Sequence, residues 1–233
     1  MKKVIIALSL LLASCNSEAP PPKIEAIKFS IKSIPFADGA KCNTKPSIDL
    51  LKINNIYKYN LLEEQTINQK ITREIKLNSI HGNEVRFTEY YVSQSMPPML
   101  GNIGHQKFGF LPTKSGNRSL VYENIDAVFP TLEVGKPVDI PIKEMIDQGG
   151  SRSGLAKLTL TGCGILTETL GEFEDEPVHI YRLELPYTEN PANQDFDAAT
   201  EFEFIVSDRL NWPVVIRSPG SDLILTSFEP AGA

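Results

Sequence analysis

The sequence predicts an all-β protein in which antiparallel meanders form a curved sheet or an incomplete barrel. Three observations carry that prediction. Apolar and polar residues alternate with period two over most of the chain, whereas helical spacing is almost absent. Gly, Pro and Asn punctuate the alternating runs at turn spacing. A segment at Leu51 also has an echo 81 residues later, at Leu132, which suggests two similar halves.

Taken in order, the first run is loose: "KIEAIKFSIKSI", ending at Ile34. Next, Ile71, Arg73, Ile75 and Leu77 oppose Thr72, Glu74 and Lys76, and Val85 to Thr88 continue the pattern after the His81-Gly82-Asn83 turn. In the second half, Ala156, Leu158 and Leu160 oppose Lys157, Thr159 and Thr161. Val178–Leu185 and Phe202–Val206 supply further strands. Arg209 to Pro213 turns the chain into Val214-Val215-Ile216, and Leu223-Ile224-Leu225 closes it. The echo pairs Leu51-Lys52-Ile53-Asn54-Asn55-Ile56-Tyr57 with Leu132-Glu133-Val134-Gly135-Lys136-Pro137-Val138. The expected organisation is one β-rich domain over 24–233, with halves 24–125 and 126–233.

The first twenty residues concern location rather than fold. Lys2 and Lys3 precede an apolar run, Val4 to Ala13, which has the layout of a secretory signal peptide and is too short to span a bilayer as a mature helix. The run ends Leu12-Ala13-Ser14-Cys15, which resembles a bacterial lipobox. That resemblance implies cleavage before Cys15, diacylglyceryl transfer to its thiol and acylation of the new amine. Residues 1–14 are then signal peptide, and 15–23 are a lipidated cysteine with a proline-rich tether. Each buried methylene contributes about 0.8 kcal/mol, so two or three chains hold stably. The implied address is the bacterial cell envelope, with the membrane engaged through acyl chains. The residue after Cys15 is not aspartate, which favours the periplasmic face of the outer membrane.

Removing 14 of the 233 residues leaves 219 and takes the formal charge from −6 to −8. An acidic body argues against nucleic acid as a partner. Two cysteines remain, Cys42 and Cys163, 121 residues apart. In an oxidising compartment they either bridge, a link that stabilises by up to about 5 kcal/mol, or stay separate buried thiols.

"TLEVGK", "GEFEDEPVHIYRLEL" and "SDRLNWPVVI" resemble segments of a loose group of bacterial envelope lipoproteins and related domains of unknown function, over residues 130 to 220. The resemblance implies an all-β fold and no activity.

Catalytic chemistry is hard to assemble. The three histidines, His81, His105 and His179, lack metal-ligand spacing, and no metal or cofactor is expected. Gly149 to Gly154 reads as a flexible loop rather than a nucleophile elbow. Asn193-x-Asp195-x-Asp197 begins like a calcium loop but lacks its glycine and its twelfth-position glutamate. Glu172, Glu174, Asp175 and Glu176 read as solvated turn charges. The unusual stretch is Ser93–Pro112, "SQSMPPMLGNIGHQKFGFLP", with one charge, three glycines and three prolines. It reads as a long irregular loop that presents Met96, Met99, Leu100, Ile103, Phe108 and Phe110 to a partner or an apolar ligand, or plugs the sheet. The expected function is therefore a non-enzymatic interaction module for another envelope component, the alternative being a carrier of lipid or lipoprotein with a half-barrel cavity.

Overall fold

Period-two alternation becomes strand at every run that falls within the described residues. The computed structural model describes residues 31–33, 50–62, 72–93, 96–115, 118–146, 150–166, 176–186, 201–218 and 221–232. The first half contains β2 (Ile56–Leu62), β3 (Thr72–His81), β4 (Glu84–Ser93), β5 (Met96–Lys107), β6 (Leu111–Ser115) and β7 (Arg118–Tyr122). A single helical turn, α1 (Ile125–Val128), and a 3-10 turn at Phe129–Thr131 lead into the second half. That half contains β8 (Val138–Ile146), β9 (Gly150–Leu166), β10 (Glu176–Glu184), β11 (Glu201–Ser207), β12 (Trp212–Ser218) and β13 (Ser221–Glu229).

Strands β2 to β13 pair antiparallel in chain order, and β13 pairs with β2. The hydrogen-bonded circuit therefore closes, giving a twelve-stranded up-and-down barrel rather than an incomplete one. Closure removes most of the exposed edges that an open sheet of this size would carry. A short β1 (Ile31–Ser33) adds to β9 at Gly164–Leu166, above the stretch that β8 occupies.

The two halves repeat in detail. Asn54 and Gly135 both adopt left-handed φ, and their N–H groups donate to Leu77 O and Leu160 O. The next residues, Asn55 and Lys136, donate to Lys52 O and Glu133 O. A bulge follows Leu77 in the β3–β4 ladder and Leu160 in the β9–β10 ladder. Phe108 N donates to Asn83 O as Asp208 N does to Pro177 O. Another bulge directly follows Pro112 and Pro213, at Thr113 and Val214. Leu111-Pro112 thus corresponds to Trp212-Pro213. Glycine suits the position at 135 because φ is +75° there, and Asn54 tolerates the same region.

Two clusters fill the core. One gathers Tyr57, Tyr59, Ile75, Leu77, Val85, Phe87, Trp212, Val215 and Leu225, with Tyr57 stacked on Trp212 at 4.5 Å. The other gathers Phe108, Phe110, Tyr122, Phe129, Ile140, Leu158, Tyr181, Leu183 and Phe204. Strands β10 and β11 feed both clusters. Val178 and Ile205 join the first, and Tyr181, Leu183, Phe204 and Val206 join the second. Both faces are buried there, which explains why "FIV" and "PVHIY" read as continuous apolar runs.

Two local expectations are corrected. Residues 150–154 of the Gly149–Gly154 segment are strand, the start of β9 paired with β8, and not a flexible loop. Met96–Lys107 is likewise a strand, not an irregular loop.

Candidate functional site

Strand β5 forms despite Pro97, Pro98 and two glycines because its ladder yields at those residues. Bulges fall at Pro97-Pro98 and at Gly101-Asn102, opposite Val92 and Glu89. The missing proline N–H groups cost little where one strand edge lacks a neighbour. The glycines serve packing. A Cβ at Gly101 would lie 2.5 Å from Tyr91 Cε2, and one at Gly104 would overlap the Phe87 ring. Both aromatic rings lie flat over glycine and hold β5 to β4.

The other edge of β5 is different. Among the described residues, β6 pairs with β5 only at His105–Lys107, so Met96–Ile103 pairs with β4 alone. Three large apolar side chains stand exposed on this stretch: Met99 (49 %), Leu100 (64 %) and Ile103 (54 %). Met99 and Leu100 are neighbours in sequence and so face opposite sides of the strand, yet both are in solvent. An unpaired edge flanked by apolar side chains is the surface to which an extended segment adds by backbone hydrogen bonds. The strand behind it is anchored by Arg73, which pairs in two contacts of 2.6 and 2.8 Å with the buried Glu89. Lower down, burial and Arg86 push the His105 imidazole below its ordinary pKa, partly offset by Glu84 at 3.3 Å.

The predicted loop residues therefore separate into two groups. Met96 opens β5, and Met99, Leu100 and Ile103 lie along its open edge. Phe108 and Phe110 do not join them. Both are buried, Phe108 stacked on Phe129 at 4.0 Å and Phe110 on Tyr181 at 4.6 Å. They form the turn between β5 and β6, with Phe108 at φ +53° and Gly109 at +80°. Their spacing drives them into the second core cluster because the turn folds back over the barrel end.

A second polar arrangement escaped sequence reasoning. His179, 2 % exposed on β10, contacts Asp208 Oδ1 through Nδ1, and its Nε2 is buried without a hydrogen-bond partner among the described residues. On the opposite face of the same strands, Ser207 Oγ donates to Glu176 Oε1, and Glu176 pairs with Arg209 at 3.4 Å. Glu176 is thus buried rather than a solvated turn charge. Ser207 Oγ also accepts from the backbone N–H groups of Arg209 and Leu210, which shapes the turn. Ser207 stands opposite Val178, while His179 stands opposite Val206. The serine and the imidazole therefore point to different faces, and no Ser-His-Asp triad forms. The sequence signal for this arrangement was present: His179 and Asp208 interrupt apolar runs at places where the first half carries Val85 and Phe108.

Cys163 is buried on β9 and disulfide-bonded. The other two cysteines, Cys15 and Cys42, lie outside the described residues, as do Asn193, Asp195, Asp197 and Glu172 to Asp175. Among the described residues no three His, Cys, Asp or Glu side chains converge as metal ligands, and no helix is long and apolar enough to cross a membrane. No protein-family model, curated protein or solved structure matches this chain.

Proposed function

We propose that the chain is a lipid-anchored interaction module of the bacterial envelope, non-enzymatic, which captures an extended segment of another envelope protein along the open edge of β5. The observation that carries this reading is the one-sided pairing of Met96–Ile103 together with the exposure of Met99, Leu100 and Ile103. Backbone groups supply affinity in such pairing, and side chains on alternate faces supply selectivity. The acyl chains on Cys15, read from its lipobox, would hold the module at the membrane. The carrier alternative needs an apolar cavity as its ligand site. The two core clusters on either face of β10 and β11 instead hold stacked rings, Tyr57 on Trp212 in one and Phe110 on Tyr181 in the other, which favours the module.

The test uses the full lipidated chain as bait in its own envelope extract, with two charge substitutions compared. Leu100→Asp lies on the open edge, and Leu155→Asp is equally exposed, on β9. The reading expects the first to lower capture of the partner about tenfold or more, equivalent to about 1.4 kcal/mol, and the second to leave it unchanged. Equal capture by both variants refutes the edge. Labelling with palmitate that survives Cys15→Ser refutes the anchor.

A further inference from the structure

We propose that Cys163 is a redox-gated thiol site: once its disulfide is opened by a dithiol, His179 and Asp208 hold the sulfur as a thiolate. The inference rests on three placements. His179 and Cys163 are direct cross-strand partners in the β9–β10 ladder, so both side chains stand on the same face, with Cβ atoms about 5 Å apart for such pairs. His179 Nδ1 is committed to Asp208, which leaves Nε2 for a group on that face, and Nε2 is buried with no hydrogen-bond partner among the described residues. A carboxylate on one ring nitrogen fixes the tautomer and makes the other nitrogen a better proton acceptor.

The internal repeat shows that packing alone does not demand these residues. Counting from the shared anchors, Cys163 corresponds to Ile80, His179 to Val85 and Asp208 to Phe108. All three counterparts are apolar, and Ile80 pairs with Val85 as Cys163 pairs with His179. The first half places Ile80 and Val85 in the first core cluster and Phe108 in the second. The other installs a cysteine, an imidazole and a carboxylate.

Other groups near this face, among the described residues, have roles of their own. Tyr181, stacked on His179 at 6.3 Å, keeps its proton because burial and Asp208 push its hydroxyl well above its ordinary value. Val206 is His179's partner on the other side. Arg209 is held by Glu176 on the opposite face. Among the described residues, His179 is the base that stands on the same face as Cys163.

The exchange balances as follows. A dithiol thiolate attacks the sulfur bonded to Cys163, a new S–S bond forms, and Cys163 leaves with the electron pair. The second dithiol thiol then attacks the mixed disulfide and releases the partner cysteine. Two electrons and two protons pass from the dithiol, which ends as a disulfide, to the chain. A thiol of lowered pKa leaves faster, so the pairing with His179 that holds Cys163 as a thiolate also favours opening.

The experiment uses the full chain in detergent, reduced with dithiothreitol and alkylated with iodoacetamide between about pH 5 and 10, with Cys163 followed by peptide mass mapping. The expected midpoint of alkylation lies at least ~1 unit below the ordinary thiol value near 8.5. It should rise toward that value in His179→Gln and partway in Asp208→Asn, with Trp212 fluorescence reporting that each variant is folded. A wild-type midpoint at or above the ordinary value overturns the proposal without recourse to any variant. So does an unchanged midpoint in folded His179→Gln.

Discussion

Gly104→Ala tests the claim that β5 is a strand pinned by rings lying over glycine. A Cβ at this position would approach Phe87 Cε2 and Cε1 to 2.6 and 2.8 Å, and its Cζ more closely still. To reach ordinary contact near 3.5 Å the nearest ring atom would have to retreat by about 1.4 Å. It has little room, since Phe87 is buried and meets Trp212 edge-on at 6.4 Å. Overpacking of this kind costs about 1–3 kcal/mol, and alanine's advantage over glycine within a strand returns about 0.5–1 kcal/mol. The net expectation is destabilisation by about 0.5–2 kcal/mol. Urea unfolding followed by Trp212, the sole tryptophan, measures it as a lower midpoint with an unchanged slope. Gly150→Ala is the control, because nothing lies within 4 Å of a Cβ there. Adding Phe87→Leu to Gly104→Ala should recover part of the loss, so that the double variant is more stable than the summed single effects predict. Equal midpoints for Gly104→Ala and Gly150→Ala would refute the packing argument.

Two further outcomes follow from the barrel's closed end. Gly109→Ala places a Cβ at φ +80° and 2.6 Å from Asn211 O, so thermal unfolding should show a loss of about 1–3 kcal/mol. The Lys107 ammonium at 2.7 Å holds the Asp126 carboxyl below its ordinary pKa, helped by Asn83 and opposed by burial. A folded-state value below the unfolded one means stability that is full above the unfolded pKa and is lost as pH falls through the folded one. Asp126→Asn should therefore lower the urea midpoint near pH 7 and converge with wild type in acid. The gap should stay below about 1 kcal/mol because the carboxylate is more than half exposed.

Most strands were legible because a half-buried strand must alternate, and Ile75, Leu77, Val85 and Phe87 do so plainly. Strand β5 was hidden by the residues that make it workable. Pro97, Pro98, Gly101 and Gly104 read as breakers, yet proline does little harm beside an open edge and each glycine accepts an aromatic ring. Phe108 and Phe110 looked like partners of Met99 and Leu100 because they are close in sequence. The turn after Lys107 sends them into the core instead. The pair His179 and Asp208 lies 29 residues apart, and only the register of β10 against β11 brings its members together.

The sequence by itself determined the chemistry of alternation and the two matching halves, since each is written in local pattern. Closure of the ring through β13–β2 and β7–β8, the open flank of β5, and the meeting of Cys163 with His179 were decided by tertiary structure. The physical reason is that period two fixes which face a residue occupies. Which strand lies beside it depends on register across the sheet, and in this barrel every such choice is constrained by the closure of the whole ring.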